Sequence, residues 1–324
     1  MTAVRRQFLH LAASAATLLA MSRFARAQAY PSRQITMIVP YPPGGPADMV
    51  GRIVAERMRG ALGQPIIIEN IGGADGSIGV GRAARAKADG YTIVLGTSST
   101  QVLNGALYSL SYDVLNDFAP VSPLATNPQV IFARKALAND LNELVAWLKA
   151  NPNKASAGFG ASGAHLAAAL FRKETGTQFT LVPYRTSNTA MQDLLAGRIE
   201  LVFTTPDRLA LTQAGTIKAY AISGDSRSLA ADIPTFRELG LQSLSFTNWY
   251  GLFAPKGTPR EMIGRLYAAT VETLLDPAVR SRLADLGFEV FPAEQQTPDL
   301  LGTLVKTGVR KWWPMIKEFG IKAQ

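Results

Sequence analysis

Apolar runs and amphipathic segments alternate along this chain. Residues 35–39 form an uninterrupted apolar run, which predicts a buried strand. The apolar positions between Met49 and Leu62 recur on one side of a helix that begins near Ala47 and ends at Gly63. The same succession continues with a strand at 65–69, a helix near 80–87 and a strand at 91–95. Strands that alternate with helices in this way predict parallel βαβ units and an α/β fold class.

A second group of strands and helices follows from about residue 121. The predicted strands are 130–133, 154–157, 179–182, 199–204 and 219–223, and the predicted helices are 141–150, 164–174 and 190–196. After a strand at 246–255, the helices at 260–275, 277–286 and 298–319 have no strands of their own, so we expect them to cover the first group. The sequence therefore predicts two domains, residues 30–124 plus 246–324 and residues 125–245, with chain crossings near 121–126 and 245–250 that act as a hinge.

The first 29 residues have the composition of an export signal. Arg5 and Arg6 precede an apolar stretch at 8–21, and small residues allow cleavage after Ala27 or after Ala29. The arginine pair is found in ordinary export signals and also in twin-arginine signals. The chain contains no cysteine, which excludes a lipid anchor on cysteine and any disulfide. We expect a soluble mature protein in the periplasm.

The charge of the mature chain does not favour nucleic acid as a partner. The whole chain carries a formal net charge of +9, and removal of the four arginines of the signal leaves +5. Lysines and arginines are scattered among acidic residues, and no basic run or aromatic-interleaved basic patch stands out. A mild positive charge would instead help to attract a small anion.

Two glycine-containing loops lead directly into predicted helices. In the first, Gly44 and Gly45 precede Pro46, and Asp48 stands where a carboxylate can reach back to free amides. In the second, residues 158–163 have glycines at the spacing of a dinucleotide-binding loop, but residues 179–185 lack the acid that would hold a ribose. This loop either binds an anion through bare amides or forms a tight turn with Ser162 as the helix N-cap.

Few residues are available for catalysis. His165 is the single histidine of the mature chain, and no serine lies in a G-x-S-x-G elbow. No cluster of histidine, cysteine, aspartate or glutamate has the spacing of metal ligands. The residues therefore favour a binding protein without catalytic residues, metal or cofactor. The alternative is an exported, hydrolase-like enzyme whose site lies in the cleft between the two predicted domains.

Seven segments resemble one family of proteins. They are residues 38–48, 62–65, 88–92, 117–121, 182–184, 193–197 and 251–259. On these segments the chain resembles the periplasmic solute-binding proteins of the tripartite tricarboxylate transporter family, known as Bug proteins. The resemblance implies a two-domain, type II periplasmic-binding-protein fold with an interdomain cleft that closes around a small organic acid. It also implies a monomer that delivers its ligand to transporter membrane subunits or reports to a sensor kinase.

The resemblance implies three ligand loops, at residues 41–48, 97–99 and 158–165. With neighbouring positions, the expected ligand-binding residues are Tyr41, Pro43, Gly44, Gly45, Asp48, Thr97, Ser98, Ser99, Gly160, Ala161, Ser162, Gly163, His165, Tyr184, Thr204, Thr205, Asp207 and Trp249. Trp249 lies at the second crossing, where it either stacks on the ligand or packs between the domains. Thr204 and Thr205 stand where relatives often have an aspartate and an asparagine, which favours a mono- or dicarboxylate, including an aromatic acid, over an amino acid.

Overall fold

A computed structural model describes residues 30–224 and 231–322 of the protein. The predicted export signal lies outside the described residues. The strands are β1 (Ile35–Val39), β2 (Ile66–Asn70), β3 (Thr92–Thr97), β4 (Phe118–Pro128), β5 (Val130–Arg134), β6 (Ser156–Phe159), β7 (Thr180–Pro183), β8 (Leu201–Thr204), β9 (Ile217–Ile222), β10 (Thr247–Pro255) and β11 (Glu289–Val290). The helices are α1 (Pro46–Leu62), α2 (Ser77–Ala84), α3 (Asn104–Leu107), α4 (Leu141–Ala150), α5 (Ser162–Thr175), α6 (Ser187–Leu195), α7 (Arg260–Leu275), α8 (Pro277–Asp285) and α9 (Pro298–Glu318).

The strands form two mixed sheets. The first has the order β11-β4-β10-β3-β1-β2, and the second has the order β7-β6-β8-β5-β9. In the first sheet β1 pairs in parallel with β2 and β3, whereas β10 and β4 run antiparallel to their neighbours. In the second, β6 is parallel to β7 and β8, and β5 pairs antiparallel with β8 and β9. The predicted α/β class is confirmed.

The first passage between the sheets lies later than the sequence predicts. Residues 121–126, expected to be a crossing, belong to β4, which pairs with β10 as far as Pro128. The predicted domain boundary between residues 124 and 125 therefore falls inside strand β4. The chain leaves the first sheet at Gln129. The pairing of β4 with β10 contains two register shifts, so the strand is irregular but continues through this segment. We accordingly propose Gln129 as the first limit between the domains.

Both ends of α1 follow local sequence signals, whereas the start of α5 does not. Pro46 opens α1, and Gly63 ends it in the left-handed conformation at φ 69°, donating its N–H to the Arg59 carbonyl. Helix α5 begins at Ser162, earlier than predicted, and Ala161 is its N-cap without a side-chain hydrogen bond. The interpretation of Ser162 as an N-cap is therefore wrong, because its hydroxyl is used in a contact between the lobes, described below.

The C-terminal helices cover the first sheet, as predicted. Leu266 and Leu274 of α7 pack in one core cluster with Met37 of β1, and Leu301 of α9 is fully buried. Near the end of α9, Trp313 donates its ring N–H to the Val102 carbonyl at 2.8 Å. We call the first sheet with its helices lobe 1 and the second sheet with its helices lobe 2.

Candidate functional site

A cavity of about 140 Å³ lies between the two lobes. Lobe 1 contributes the loop after β1, the end of β3 and part of β10, and lobe 2 contributes the starts of α5 and α6 and the end of β8. The predicted site residues that line it are Tyr41, Pro43, Gly45, Thr97, Ser98, Ser99, Gly160, Ala161, Gly163, Thr204 and Thr205. Among the described residues that line it, Arg185 alone is charged, and none is acidic. This composition suits an anion.

Three helices begin at this cavity. Gly45 to Ala47 belong to the start of α1, Ala161 to Ala164 to the start of α5, and Thr186 to Asn188 to the start of α6. The first amides of a helix have no partner within it and carry the positive end of its dipole. The sequence predicted the starts of α1 and α5 as ligand loops; it also predicted the helix α6, at 190–196, but not that its start belongs to the site. Thr186, which accepts a hydrogen bond from the Thr189 amide at 3.3 Å, is an N-cap that could have signalled it.

Asp48 does not line the cavity but holds the loop that does. Its carboxylate is buried and accepts hydrogen bonds from the Gly44 amide, the Arg52 guanidinium and the Asn70 amide, each at 2.9 Å. Burial acts to raise the pKa of Asp48, but these hydrogen bonds outweigh it and hold the pKa below its ordinary value. Asn70 also donates to the Tyr41 carbonyl at 3.0 Å. Asp48 and Gly44 are therefore positioning residues for Tyr41 and its neighbours.

Strand β10 presents Asn248 and Tyr250 to the cavity instead of Trp249. Successive side chains of a strand point to opposite faces, so Trp249 lies on the face of β10 that points away from the cavity. The centroids of the Trp249 and Phe253 rings are 6.3 Å apart. Asn248 accepts a hydrogen bond from the Ser98 hydroxyl at 3.3 Å. The prediction of Trp249 as a ligand contact is not supported by this geometry. Trp249 is buried in a hydrophobic cluster that contains Phe253 of lobe 1 and Phe171 of lobe 2, which agrees with the alternative, packing between the domains. Alternation along the strand could have identified Asn248.

Ser162, His165 and Tyr184 line a second, larger cavity of about 540 Å³ beside the first. The His165 ring stacks on Phe159 with 4.4 Å between centroids, and burial lowers its pKa to about 4, so the imidazole is neutral at pH 7. The Tyr184 hydroxyl donates to Asp193 at 2.8 Å. These residues were expected at the ligand, and the structure places them behind the loop that carries Gly160.

Asp207 lies behind the cavity wall. It accepts a hydrogen bond from the Thr205 hydroxyl at 2.6 Å, and burial raises its pKa. Thr205 itself lines the cavity. Asp207 therefore orients a neighbouring hydroxyl and does not face the ligand space. Gln129, Arg185, Ser187 and Asn188 line the cavity without having been predicted, because neither a crossing residue nor a short turn carries a motif.

A hydrogen-bonded contact joins the two lobes beside the cavity. The Ser162 amide donates to the Asp75 carboxylate at 2.9 Å. The single hydrogen of the Ser162 hydroxyl is shared between the same carboxylate oxygen and Asn104 Oδ1, which lies 3.0 Å from the hydroxyl oxygen. Asn104 in turn donates to the Asp75 carbonyl at 2.9 Å. Burial raises the pKa of Asp75 to about 6, although the bonds from Ser162 oppose the shift. The start of α5 is thus held by a carboxylate of lobe 1.

Within residues 30–224 and 231–322, no group of three or more histidine, cysteine, aspartate or glutamate side chains could hold a metal ion. In the same part of the chain, no helix is long and apolar enough to cross a membrane.

Two α/β lobes with a small, anion-compatible cavity between them define a solute-binding protein of the two-domain periplasmic type. Residues 50–321 match the tripartite tricarboxylate transporter family receptor, and the chain belongs to this family. It is 35% identical to protein BugT of Bordetella pertussis, over 91% of this chain and 92% of BugT. The family and the fold that the sequence predicted are confirmed.

Two solved structures show the same fold. The periplasmic binding protein BugD is 32% identical, with a TM-score of 0.83, over 91% of this chain and all (100%) of that one. MatC from Rhodopseudomonas palustris, solved with bound malate, is 33% identical, with a TM-score of 0.81, over 89% of this chain and all (100%) of that one. One of these relatives, MatC, therefore binds a carboxylate.

Proposed function

We propose that this protein is exported to the periplasm and captures a small organic acid, a mono- or dicarboxylate, by closing its two lobes around it. The observation that carries the proposal is the convergence of three helix starts on one cavity that no described acidic side chain lines. A carboxylate there accepts hydrogen bonds from free amides and from the hydroxyls of Ser98 and Thr97. The bound malate of MatC gives additional support from a relative.

The energy of such a site is sufficient for useful affinity. A helix start contributes about 0.3–2 kcal/mol to a nearby anion, and each hydrogen bond contributes about 1 kcal/mol. Three starts and a few hydroxyl contacts therefore approach the ~8 kcal/mol of a micromolar complex. Arg185 at the rim adds a positive charge without being buried. Micromolar binding suits a receptor that must also release its ligand.

The partners we propose are the membrane subunits of a tripartite tricarboxylate transporter or, alternatively, a sensor kinase. The transporter subunits and the sensor kinase would both recognise the closed form of the protein. The cavity therefore does not show which of the two is the partner. Pull-down with the acid present and absent would do so. An acid-dependent complex with a transporter subunit supports uptake, and one with a kinase supports sensing.

The proposal is tested by thermal melting of residues 28–324 against mono-, di- and tricarboxylates, aromatic acids and amino acids. At a hundred times its Kd, a ligand adds about 2.7 kcal/mol to the free energy of unfolding, which raises the Tm by several degrees. The matched control for each acid is its neutral amide, which we expect to leave the Tm unchanged. If an amide or a cation shifts the Tm and no acid does, the carboxylate site is wrong.

Two additional measurements complete the test. If nothing shifts the Tm, mass spectrometry of denatured protein looks for a co-purified acid, and its absence contradicts the proposal. NMR of each bound acid, incubated with the protein, tests the alternative of an exported enzyme. We expect the acid to remain unchanged, and conversion that His165→Ala abolishes would favour the enzyme.

A further inference from the structure

Three oxygen atoms in a row join the lobes at the start of α5. Ser162 Oγ of lobe 2 lies between the Asp75 carboxylate and Asn104 Oδ1, both of lobe 1, and the Asn104 oxygen is 3.0 Å away. The Asn104 side chain is oriented by its nitrogen, which donates to the Asp75 carbonyl at 2.9 Å and to the Ser77 hydroxyl at 3.0 Å. Asn104 Oδ1 is therefore an acceptor, and so is the ionised Asp75 carboxylate.

This row of oxygens can accept one more proton. When Asp75 is ionised, the Ser162 hydroxyl has one hydrogen for two acceptors, so one of the two contacts has no hydrogen. With a proton on Asp75, the carboxyl donates to Ser162 Oγ while the Ser162 hydroxyl donates to Asn104. Among the described residues, only the amide and the hydroxyl of Ser162 donate to the Asp75 carboxylate, and no cation forms an ion pair with it. A neutral Asp75 therefore loses no ion pair.

The same helix start faces the proposed solute. Ala161 and Gly163 line the 140 Å³ cavity, and Ser162 lies between them in the chain. A carboxylate held by the start of α5 and the Asp75 carboxylate therefore approach one helix turn from two sides. Two carboxylates at one site disfavour each other's ionised forms, so one of them takes up a proton. Burial by itself already raises the pKa of Asp75 to about 6, which makes Asp75 the group that does so.

The other titratable groups around Asp75 do not take up this proton. Tyr41 and Tyr112 of lobe 1 stay neutral at pH 7, because burial and the nearby Asp75 carboxylate raise their pKa values. His165 acts in the opposite direction, because burial lowers its pKa to about 4 and so favours release of a proton. The 540 Å³ cavity that Asp75 lines with His165 is also lined by Tyr108, Tyr184, Arg185 and Lys322.

We propose that Asp75 is a positioning residue that caps the start of α5 across the lobes and couples capture of the acid to the uptake of one proton. The inference rests on the proposed function, because the charge that drives the proton onto Asp75 is that of the captured acid. In the open form Asp75 faces water and is ionised, and in the closed form it is neutral. A group that binds its proton more strongly in the closed form favours that form at low pH, so the acid binds more tightly as the pH falls.

Calorimetric titration in two buffers of different ionisation enthalpy counts the protons taken up for each acid bound. The probes are malate, succinate and benzoate, together with any other acid that raises the Tm. Relative to Asp75→Asn, we expect the wild type to take up about 0.2 proton or more at pH 6.5 and to gain affinity about 4-fold or more between pH 8.0 and pH 5.5. The difference between the two proteins removes the titration of the acid itself and of His165. Equal proton uptake and equal pH dependence in both proteins overturn the coupling.

Two variants separate the cap from the proton. Asp75 has a positive φ of 47°, which asparagine and glycine both tolerate. Asp75→Asn keeps an oxygen that accepts from the Ser162 amide, so its affinity at pH 8.0 should stay within about 3-fold of the wild type or exceed it. Asp75→Gly removes the cap and should weaken binding about 10-fold without a proton-linked slope. Wild-type affinity in Asp75→Gly overturns the positioning role, and a wild-type slope in either variant overturns the coupling.

Asp299→Asn is the matched control, because it removes the same charge from an exposed side chain in the first turn of α9. It should leave proton uptake and affinity unchanged. Failure of the coupling is distinguishable from failure of the proposed function. If acids bind with the same pH dependence in the wild type and the Asp75 variants, the receptor role stands and the coupling is wrong. If no acid binds or co-purifies, both are wrong.

Discussion

At the scale of single residues, His165 shows how a candidate catalytic group becomes a structural one. The first turn of a helix after a glycine loop is a place where a histidine could act on a ligand. In the structure the His165 ring stacks on Phe159, and His165 does not line the 140 Å³ cavity between the lobes. Burial of the imidazole disfavours its charged form, which is the opposite of what an imidazolium that binds an anion would need.

This gives a prediction about pH. The pKa of His165 is lowered from 6.5 to about 4 on folding, so the unfolded chain binds the proton more readily. The contribution of neutral His165 is therefore fully present above pH 6.5 and is lost as the pH falls towards about 4. The variant His165→Phe keeps the stacking and has no proton to bind. We expect the Tm of the wild type, relative to that of the variant, to fall by several degrees between pH 7 and pH 4.

Comparison of the wild type with His165→Phe also separates the pH dependence caused by His165 from that caused by Asp75. The raised pKa of Asp75 acts in the opposite direction, since its stabilising protonated form is lost as the pH rises through about 6. Asp75 is present in both proteins and cancels in the difference. A Tm difference that does not change over this pH range would show that His165 is not buried in its neutral form.

At the scale of elements, the site depends on how closely the starts of α5 and α6 approach. Gly160 makes this approach possible. A Cβ atom at Gly160 would lie 2.4 Å from the Ser187 backbone nitrogen and 2.7 Å from the Thr186 carbonyl carbon. Backbone atoms cannot rotate away as a side chain can, so any larger residue must separate the two helix starts. Glycine is required at position 160 because of close packing, and not because of a positive φ angle.

We expect Gly160→Ala to weaken acid binding at least about 10-fold and to lower the Tm, because forced overpacking costs about 1–3 kcal/mol. Calorimetric titration and thermal melting measure the two effects. Gly264→Ala, in the exposed part of α7, is the matched control, since a Cβ there meets no atom within 4 Å. It should leave binding unchanged and raise the free energy of unfolding by up to about 1 kcal/mol through helix propensity. If Gly160→Ala binds acids as the wild type does, the close approach of the starts of α5 and α6 is not needed for binding.

At the scale of the whole molecule, one contact links the two lobes beside the ligand space. Ser162 at the start of α5 shares its hydroxyl hydrogen between Asp75 and Asn104 of lobe 1. Asp75 lies in a glycine-rich loop and has a positive φ of 47°, which is unusual for a residue with a side chain. The two lobes are therefore joined by polar contacts whose partners belong to different lobes.

These contacts predict an effect on closure. Ser162→Ala removes the hydroxyl bonds to both partners and keeps the amide bond to Asp75. Because those bonds exist only when the lobes are together, their loss should favour the open form and weaken acid binding about 10-fold, as for one charged hydrogen bond of about 1.5 kcal/mol. X-ray scattering should show a larger radius of gyration at subsaturating acid. Thr303→Ala on the exposed side of α9 is the control. Unchanged affinity and radius would exclude a role in closure.

The sequence by itself determined the elements and their class. Proline at the start and glycine at the end of α1, and an Asp48 carboxylate that reaches back to Gly44, follow from interactions within a few residues. Such local signals also indicated the loops that bring Tyr41 and Gly160 to the cavity. The family resemblance came from seven short segments, of which only residues 38–48 include one of these loops, and it is confirmed by the match over residues 50–321.

Only the tertiary structure decided which side chains meet. Ser162 meets Asp75 and Asn104 across the lobes. Trp249 was displaced from the predicted site because the ladder fixes which face of β10 each residue takes. These contacts join residues far apart in the chain. They depend on strand register and on the packing of the lobes, which local patterns do not contain.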